Sequence, residues 1–198
     1  RDRCERCFRC VDGCEGGALE RIGLEKTVEQ IVAEVLPDRP FYDQSGGGVT
    51  FSGGEPTHQR ELLLALLAAL KEADVHTALE TCGHFSADLV EPLAGLADLF
   101  LFDLKHADDA RHRELTGVSN ARVHRRFREL LAAVGPERLI PRLPLIPSAN
   151  TSPEDIARVI DFLRDAGYEG RVELMPYNGL ARTKWEKIGR AGEYRAFG

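Results

Sequence analysis

Alternating strand and helix patterns along this 198-residue chain predict an α/β fold on a parallel sheet, either open or closed into a barrel. Three observations carry that prediction. Short apolar and β-branched runs recur at Val49 to Phe51, Thr77 to Glu80, Leu99 to Phe102, Leu139 to Ile146 and Arg171 to Met175. Between them lie stretches whose apolar residues are spaced three and four apart, the helical period. Polar residues and glycines collect just beyond the strand-like runs, at the carboxyl ends where parallel α/β folds place their ligands. A hydrophobic content of 43% is enough for a sizeable core.

The periodic part opens at Thr27 to Val35, with Thr27 as cap and Val28, Ile31, Val32 and Val35 on one face; Pro37 and Pro40 are expected to end it. The first strand breaks at Ser52, Gly53, Gly54, Glu55 and Pro56, ahead of a helix from about Gln59 to Ala73 that carries Leu62, Leu63, Leu66, Leu67 and Leu70. Glycines at such an exit permit positive φ and close approach of backbone to ligand, and an acid just beyond them suits an ammonium group. The second strand ends in Thr81, Cys82 and Gly83 and leads to a helix near Ala87 to Ala94, and the third ends in Asp103, Leu104 and Lys105. Helices at Ala121 to Val134 and Pro153 to Ala166 flank the fourth strand, and Pro176, Tyr177 and Asn178 close the fifth. One rim would then gather Gly53, Gly54, Glu55, Glu80, Thr81, Asp103, Lys105, Asn150 and Tyr177 into one site. Cys82, Met175 and Trp185 read as packing side chains.

Four of the five cysteines, Cys4, Cys7, Cys10 and Cys14, have the spacing C-x2-C-x2-C-x3-C, the bacterial ferredoxin run for iron–sulfur clusters. A zinc ribbon would separate its cysteine pairs by a longer knuckle. In two-cluster ferredoxins the fourth cysteine serves the other cluster, so Cys4, Cys7 and Cys10 are expected on one [4Fe–4S] cluster and Cys14 on a second. Glu15 stands where the ferredoxin run has proline.

Twenty-six basic residues against thirty-two acidic give a net charge of −6, with neither sign in a block, so no nucleic-acid partner is expected. No run approaches a membrane span and the N-terminus lacks a signal-peptide core, which predicts no membrane association and a cytoplasmic location.

After the cysteine segment come GGGVTFSGGEP at 46–56, ETCG at 80–83, DLK at 103–105, LTGVSN at 115–120, RLPLIP at 142–147 and ELMPYN at 173–178. In that order they resemble the glycyl-radical-enzyme activating enzymes of the radical S-adenosylmethionine (SAM) superfamily, of which the pyruvate formate-lyase activating enzyme is a member. The resemblance implies a partial (β/α)6 TIM-like barrel over 27–198, preceded at 1–26 by part of a ferredoxin-like insert. It implies reductive cleavage of SAM by a [4Fe–4S] cluster, giving a 5′-deoxyadenosyl radical that takes hydrogen from a backbone glycine of a partner glycyl-radical enzyme. A flavodoxin- or ferredoxin-type protein would be the electron donor. Carried over by residue, Gly53, Gly54 and Glu55 resemble the loop for the SAM amino group, and Glu80, Thr81 and Asp103 the groups near the methionyl end and a cation. Leu104 and Lys105 complete that strand end, with Lys105 reaching the SAM carboxylate. Arg142, Asn150 and Tyr177 fall at the nucleotide end or at the substrate. His112 either contacts the partner's glycine loop or is a solvated helix residue. SAM is a zwitterion plus a sulfonium and needs both carboxylate and ammonium partners, which suits this set.

The C-x3-C-x2-C motif that defines the superfamily is absent from these 198 residues, and the sequence starts at Arg1 without methionine. The expectation is a fragment lacking the first barrel strand, its cluster loop and part of the insert, with the strand at Val49 left as an unpaired edge. An insert cluster in all-cysteine coordination would pass electrons without activating SAM. Two alternatives remain open: a SAM-binding scaffold without radical chemistry, and a ferredoxin-type electron carrier. A C-x3-C-x2-C motif upstream of Arg1 would select the enzyme, and failure to bind SAM the electron carrier.

Overall fold

The computed structural model describes residues 4–5, 7–21, 23–194 and 196. In chain order the elements are α1 (Arg9–Asp12), α2 (Val28–Val35), α3 (Arg39–Ser45), β1 (Gly48–Phe51), α4 (Arg60–Glu72), β2 (His76–Thr81), α5 (Val90–Leu96), β3 (Leu99–Asp103), α6 (Asp109–Thr116), α7 (Ala121–Val134), β4 (Leu139–Leu145), α8 (Pro153–Asp165), β5 (Glu173–Pro176) and α9 (Ala181–Lys187), with short 3-10 turns between some of them. The described residues form two compact units, one of 28–177 and one of 4–27 with 178–196.

In the larger unit the strands lie in the order β1-β2-β3-β4-β5 and every pair is parallel. Helical crossovers join successive strands, as parallel pairing requires. This is the α/β fold that the sequence predicts. The sheet is open, and among the described residues β1 and β5 are its edges, so the strand at Val49 is an edge as expected. Gly48 is where β1 comes closest to β2: a Cβ there would stand 1.9 Å from the His76 carbonyl oxygen, so this register needs glycine.

Successive side chains of a strand point to opposite faces, and that period separates the core from the site. Leu79 of β2, Phe100 and Phe102 of β3, and Leu139 and Leu143 of β4 pack with Leu67, Leu93, Phe127, Leu130 and Phe162 of the helices. Phe102 meets Phe127 edge to face with centroids 5.4 Å apart. Full burial of such side chains stabilises by about 1.5–3 kcal/mol each. Glu80, Asp103 and Arg142 fall on the alternate positions and therefore on the other face. The register aligns Glu80 with Leu101 and Asp103 with Arg142, so three strands bring charged groups to one end of that face.

In this unit two helices, α3 and α6, were not evident from periodicity. Helix α2 ends at Val35, ahead of Pro37 and Pro40 as expected, but the two prolines do more than stop it. They start new turns, Pro37 in the 3-10 helix Leu36–Asp38 and Pro40 at the head of α3, where the missing N–H has no partner to lose. Helix α6 has no apolar stripe and is defined by its ends. Its start is capped by Asp108, whose carboxylate accepts from the Arg111 N–H at 2.8 Å, and its end by Gly117 at φ +81.

The smaller unit contains α1, a single turn with no buried residue, and α9. Arg21 lies over the Phe8 ring at 4.4 Å and Arg190 over Trp185 at 5.0 Å, so Trp185 does serve packing. Met175, on the edge strand β5, is instead exposed. Among the described residues no helix is long and apolar enough to cross a membrane.

Candidate functional site

The loop after β1 is shaped by one glycine and one acid. Gly53 sits at φ +123 with open space where a Cβ would be, a conformation that side chains rarely adopt. Glu55 follows in an extended conformation and caps the 3-10 helix Pro56–Gln59. Its Oε1 accepts from the Thr57 hydroxyl at 2.8 Å, the Thr81 hydroxyl at 3.0 Å and the Thr57 N–H at 3.4 Å; its Oε2 accepts from the Cys82 N–H at 2.9 Å and the Cys82 thiol at 3.0 Å. Burial works to raise the Glu55 carboxyl, but the bonds from Cys82, Thr57 and Thr81 outweigh it and hold the group below its ordinary value. Burial, with Glu55 beside it, pushes the Cys82 thiol up to about 11. Glu55 thus fastens the glycine loop to the end of β2. Thr81 completes the tie by accepting from the Gly83 N–H at 3.0 Å.

A small cavity of about 60 Å³ lies beside this loop, lined by Ser52, Gly53, Gly54, Glu80, Thr81, Cys82, Asp103, Lys105 and Arg142. Arg142, only 8% exposed, donates from Nη1 to Glu80 Oε1 at 2.7 Å and from Nε and Nη2 to Asp103 Oδ1 at 3.0 and 2.8 Å. The Ser52 hydroxyl donates to Glu80 Oε2 at 2.5 Å. Burial opposes ionisation of Glu80, yet Arg142 and Ser52 prevail and keep its carboxyl below the ordinary value. A guanidinium of the chain itself thus lies between these two acids, a pairing that nothing in local sequence announces. Lys105 is exposed, and its ammonium makes no ion pair with a described residue. Asp103 Oδ2 likewise has no hydrogen-bond partner among the described residues.

Asp103, Lys105, Glu55 and Cys82 also border a second cavity of about 210 Å³, whose other walls include His58, His84, His112, Thr116 and Val118. His112 is not solvated: it is 4% exposed, with Nδ1 2.8 Å from the Val118 carbonyl oxygen. Leu104 is buried, and its N–H donates to the Arg142 carbonyl at 2.9 Å, which fixes the strand end. Asn150 lies in the loop after β4 with its carboxamide bonded to backbone, and Tyr177 lies half-buried directly after β5.

The cysteines are placed differently. Cys4, Cys7 and Cys10 are exposed, Cys14 is half-buried, and none is in a disulfide. Hydrogen bonding from Arg9 holds the Cys7 thiol below its ordinary value. Four free thiols at this spacing suit an iron–sulfur cluster as a donor set, although among the described residues no three His, Cys, Asp or Glu side chains are gathered as metal ligands.

Among the described residues, the carboxyl ends of this parallel sheet thus leave one carboxylate oxygen, Asp103 Oδ2, and one ammonium, that of Lys105, without a partner, at the place where parallel α/β folds bind ligands. Residues 3–188 match the radical SAM superfamily, and the chain belongs to it, among the glycyl-radical-enzyme activating enzymes. It is 39% identical to the isethionate sulfite-lyase activating enzyme of Nitratidesulfovibrio vulgaris, over 94% of this chain and 61% of that one. With the trans-4-hydroxy-L-proline dehydratase activating enzyme of Clostridioides difficile it shares 36% identity, over 94% of this chain and 72% of that one. The crystal structure of a domain of the pyruvate-formate lyase-activating enzyme from Bacteroides vulgatus matches with a TM-score of 0.62 at 27% identity, covering 75% of this chain and 95% of that one. The chain spans 61, 56 and 60% of the length of three of its curated relatives.

Proposed function

We propose that this protein supplies the SAM-binding barrel of an activating enzyme that cleaves SAM reductively and generates a radical on a glycine of a partner glycyl-radical enzyme. One observation carries the reading. At the strand ends Glu55, Glu80, Thr81 and Arg142 are bonded to one another or to neighbouring protein groups, whereas Asp103 Oδ2 and the Lys105 ammonium have no partner among the described residues. The methionyl end of SAM has the complementary pair, an ammonium and a carboxylate.

Lys105 takes the methionyl carboxylate, and Asp103 with the open Gly53–Gly54 loop takes the ammonium. Glu55 acts on that loop rather than on the ligand, since both its oxygens are engaged by Thr57, Thr81 and Cys82. Arg142 favours the ionised form of Glu80 and ties Glu80 and Asp103 together, and Tyr177 stands at the nucleotide end. Cys4, Cys7 and Cys10 would hold one [4Fe–4S] cluster and Cys14 a second. When bound, such clusters supply electrons, received from a flavodoxin- or ferredoxin-type donor, for a cleavage whose radical product removes hydrogen from the partner's glycine.

Calorimetric titration with SAM tests the reading. Lys105→Ala is expected to weaken binding by about 1.5–3 kcal/mol, the scale of a hydrogen bond to a charged group. Unchanged affinity would take Lys105 out of the site and remove the main support for SAM as its ligand.

A further inference from the structure

Lys105 sits in the segment 104–108 between β3 and α6, and side chains from three other places hold that segment. Asn150 Nδ2 donates to the Lys105 carbonyl at 2.9 Å and to the Pro144 carbonyl at 2.6 Å, while Asn150 Oδ1 accepts from the Ile146 N–H at 2.7 Å. Asn120, 4% exposed, donates to the Ala107 carbonyl at 2.6 Å and the His106 carbonyl at 3.2 Å. The His106 ring is buried, and its Nδ1 accepts from the Asp108 N–H at 3.1 Å. The ring proton therefore resides on Nε2, which donates to Asp155 Oδ1 at 3.1 Å. Asp155 belongs to the first turn of α8 and is itself fixed by the Ser152 hydroxyl at 2.8 Å.

This arrangement decides what Asn150 is free to do. Both donors of its carboxamide and one of the two lone pairs on Oδ1 are committed to backbone, so it has no donor left with which to address the nucleotide end of SAM. The residue after Lys105 is likewise committed, through Asp155, to a different helix. A lysine ammonium rides on four flexible methylenes, and the arc it samples is set by where its main chain is held.

We propose that Asn150 and the His106–Asp155 pair are positioning residues that fix the main chain of Lys105 and so direct its ammonium into the cavity at the strand ends. The proposal rests on the reading of Lys105 as the partner of the SAM carboxylate. Neither group touches the ligand. Their effect on binding passes through Lys105.

A double-mutant cycle on the full chain separates this from a merely structural role. Asp155→Ala and Asn150→Ala are each made with Lys105 present and with Lys105→Ala, and SAM dissociation constants are measured by calorimetry alongside melting temperatures. With Lys105 present each is expected to weaken SAM binding about three- to tenfold, and with Lys105→Ala by less than about twofold, the non-additivity of residues that act through one another. The same factor in both backgrounds, or no change with Lys105 present, overturns the proposal. Asp155→Asn keeps side-chain size and a weaker acceptor; if the alanine variants do not fold, it is expected to show the same coupling at about two- to threefold. Should Lys105→Ala alone leave SAM affinity intact, the functional reading fails and the positioning claim falls with it.

Discussion

At the strand ends Glu55, Glu80 and Arg142 have their charged atoms bonded to protein, whereas along residues 4–14 three thiols stand exposed around a single helical turn that buries nothing. The two regions illustrate two ways of making a site. In the first, packing and register supply the order before any ligand arrives, so ligand binding meets groups already in place. In the second, the described residues bring no such order of their own, and where a segment of this kind takes up a metal, binding free energy is folding free energy.

Loading with iron should break that symmetry most visibly. Reconstitution with iron and sulfide is expected to shield residues 4–27 from trypsin and leave cleavage within 28–177 unchanged, and Cys7→Ser to abolish both the visible cluster absorption and the protection. Equal protection with and without iron would erase the contrast. Next in size comes Arg142→Met, which leaves Glu80 and Asp103 facing each other without a counter-charge. Because those side chains keep 29 and 24% exposure, the loss in urea unfolding should be about 2–3 kcal/mol, below the 3–5 of a fully buried pair. A variant as stable as the parent would show that the network is not preorganised by Arg142.

Acid sharpens the comparison further. The folded-state Glu55 and Glu80 carboxyls lie below the ordinary 4.5, so their contribution is fully present above about that pH and is lost as pH falls through the folded values. Glu55→Gln should flatten that acid loss in equilibrium unfolding while leaving the slope near neutrality alone. A wild-type acid slope in the variant would count against the network around Glu55. The smallest effect is expected at Cys82, whose thiol is pushed up to about 11. Mass spectrometry after iodoacetamide at neutral pH should find Cys4, Cys7 and Cys10 modified well before Cys82, and Cys82→Ala should cost only about 1 kcal/mol. Early modification of Cys82 would contradict its bond to Glu55.

All five strands and helix α7 could be read from the sequence because their signal is periodic burial, which local composition records. Helix α6 could not, since its stability comes from its two ends. The signals were present in Asp108 and Gly117, but a polar interior hid them. Helix α3 was hidden for a related reason: proline stops a helix when it falls inside one, yet favours one when it stands first, as Pro40 does. In the site, Glu80, Asp103 and Lys105 could be named from strand ends alone. The partnership of Arg142 with residues 62 and 39 positions away could not, because it depends on β3–β4 register. Nor could the internal engagement of Glu55 and Asn150, whose polar side chains look in sequence like ligand groups and in space spend their bonds on the protein's own backbone and loops.

The strand order also bears on how the chain acquires its shape. Because β1 to β5 lie side by side in the order in which they occur in sequence, each new strand needs only the edge left by the one before it. A polypeptide emerging N-terminus first can therefore build these five strands one crossover at a time, each new strand adding to the C-terminal side while the β1 edge stays open.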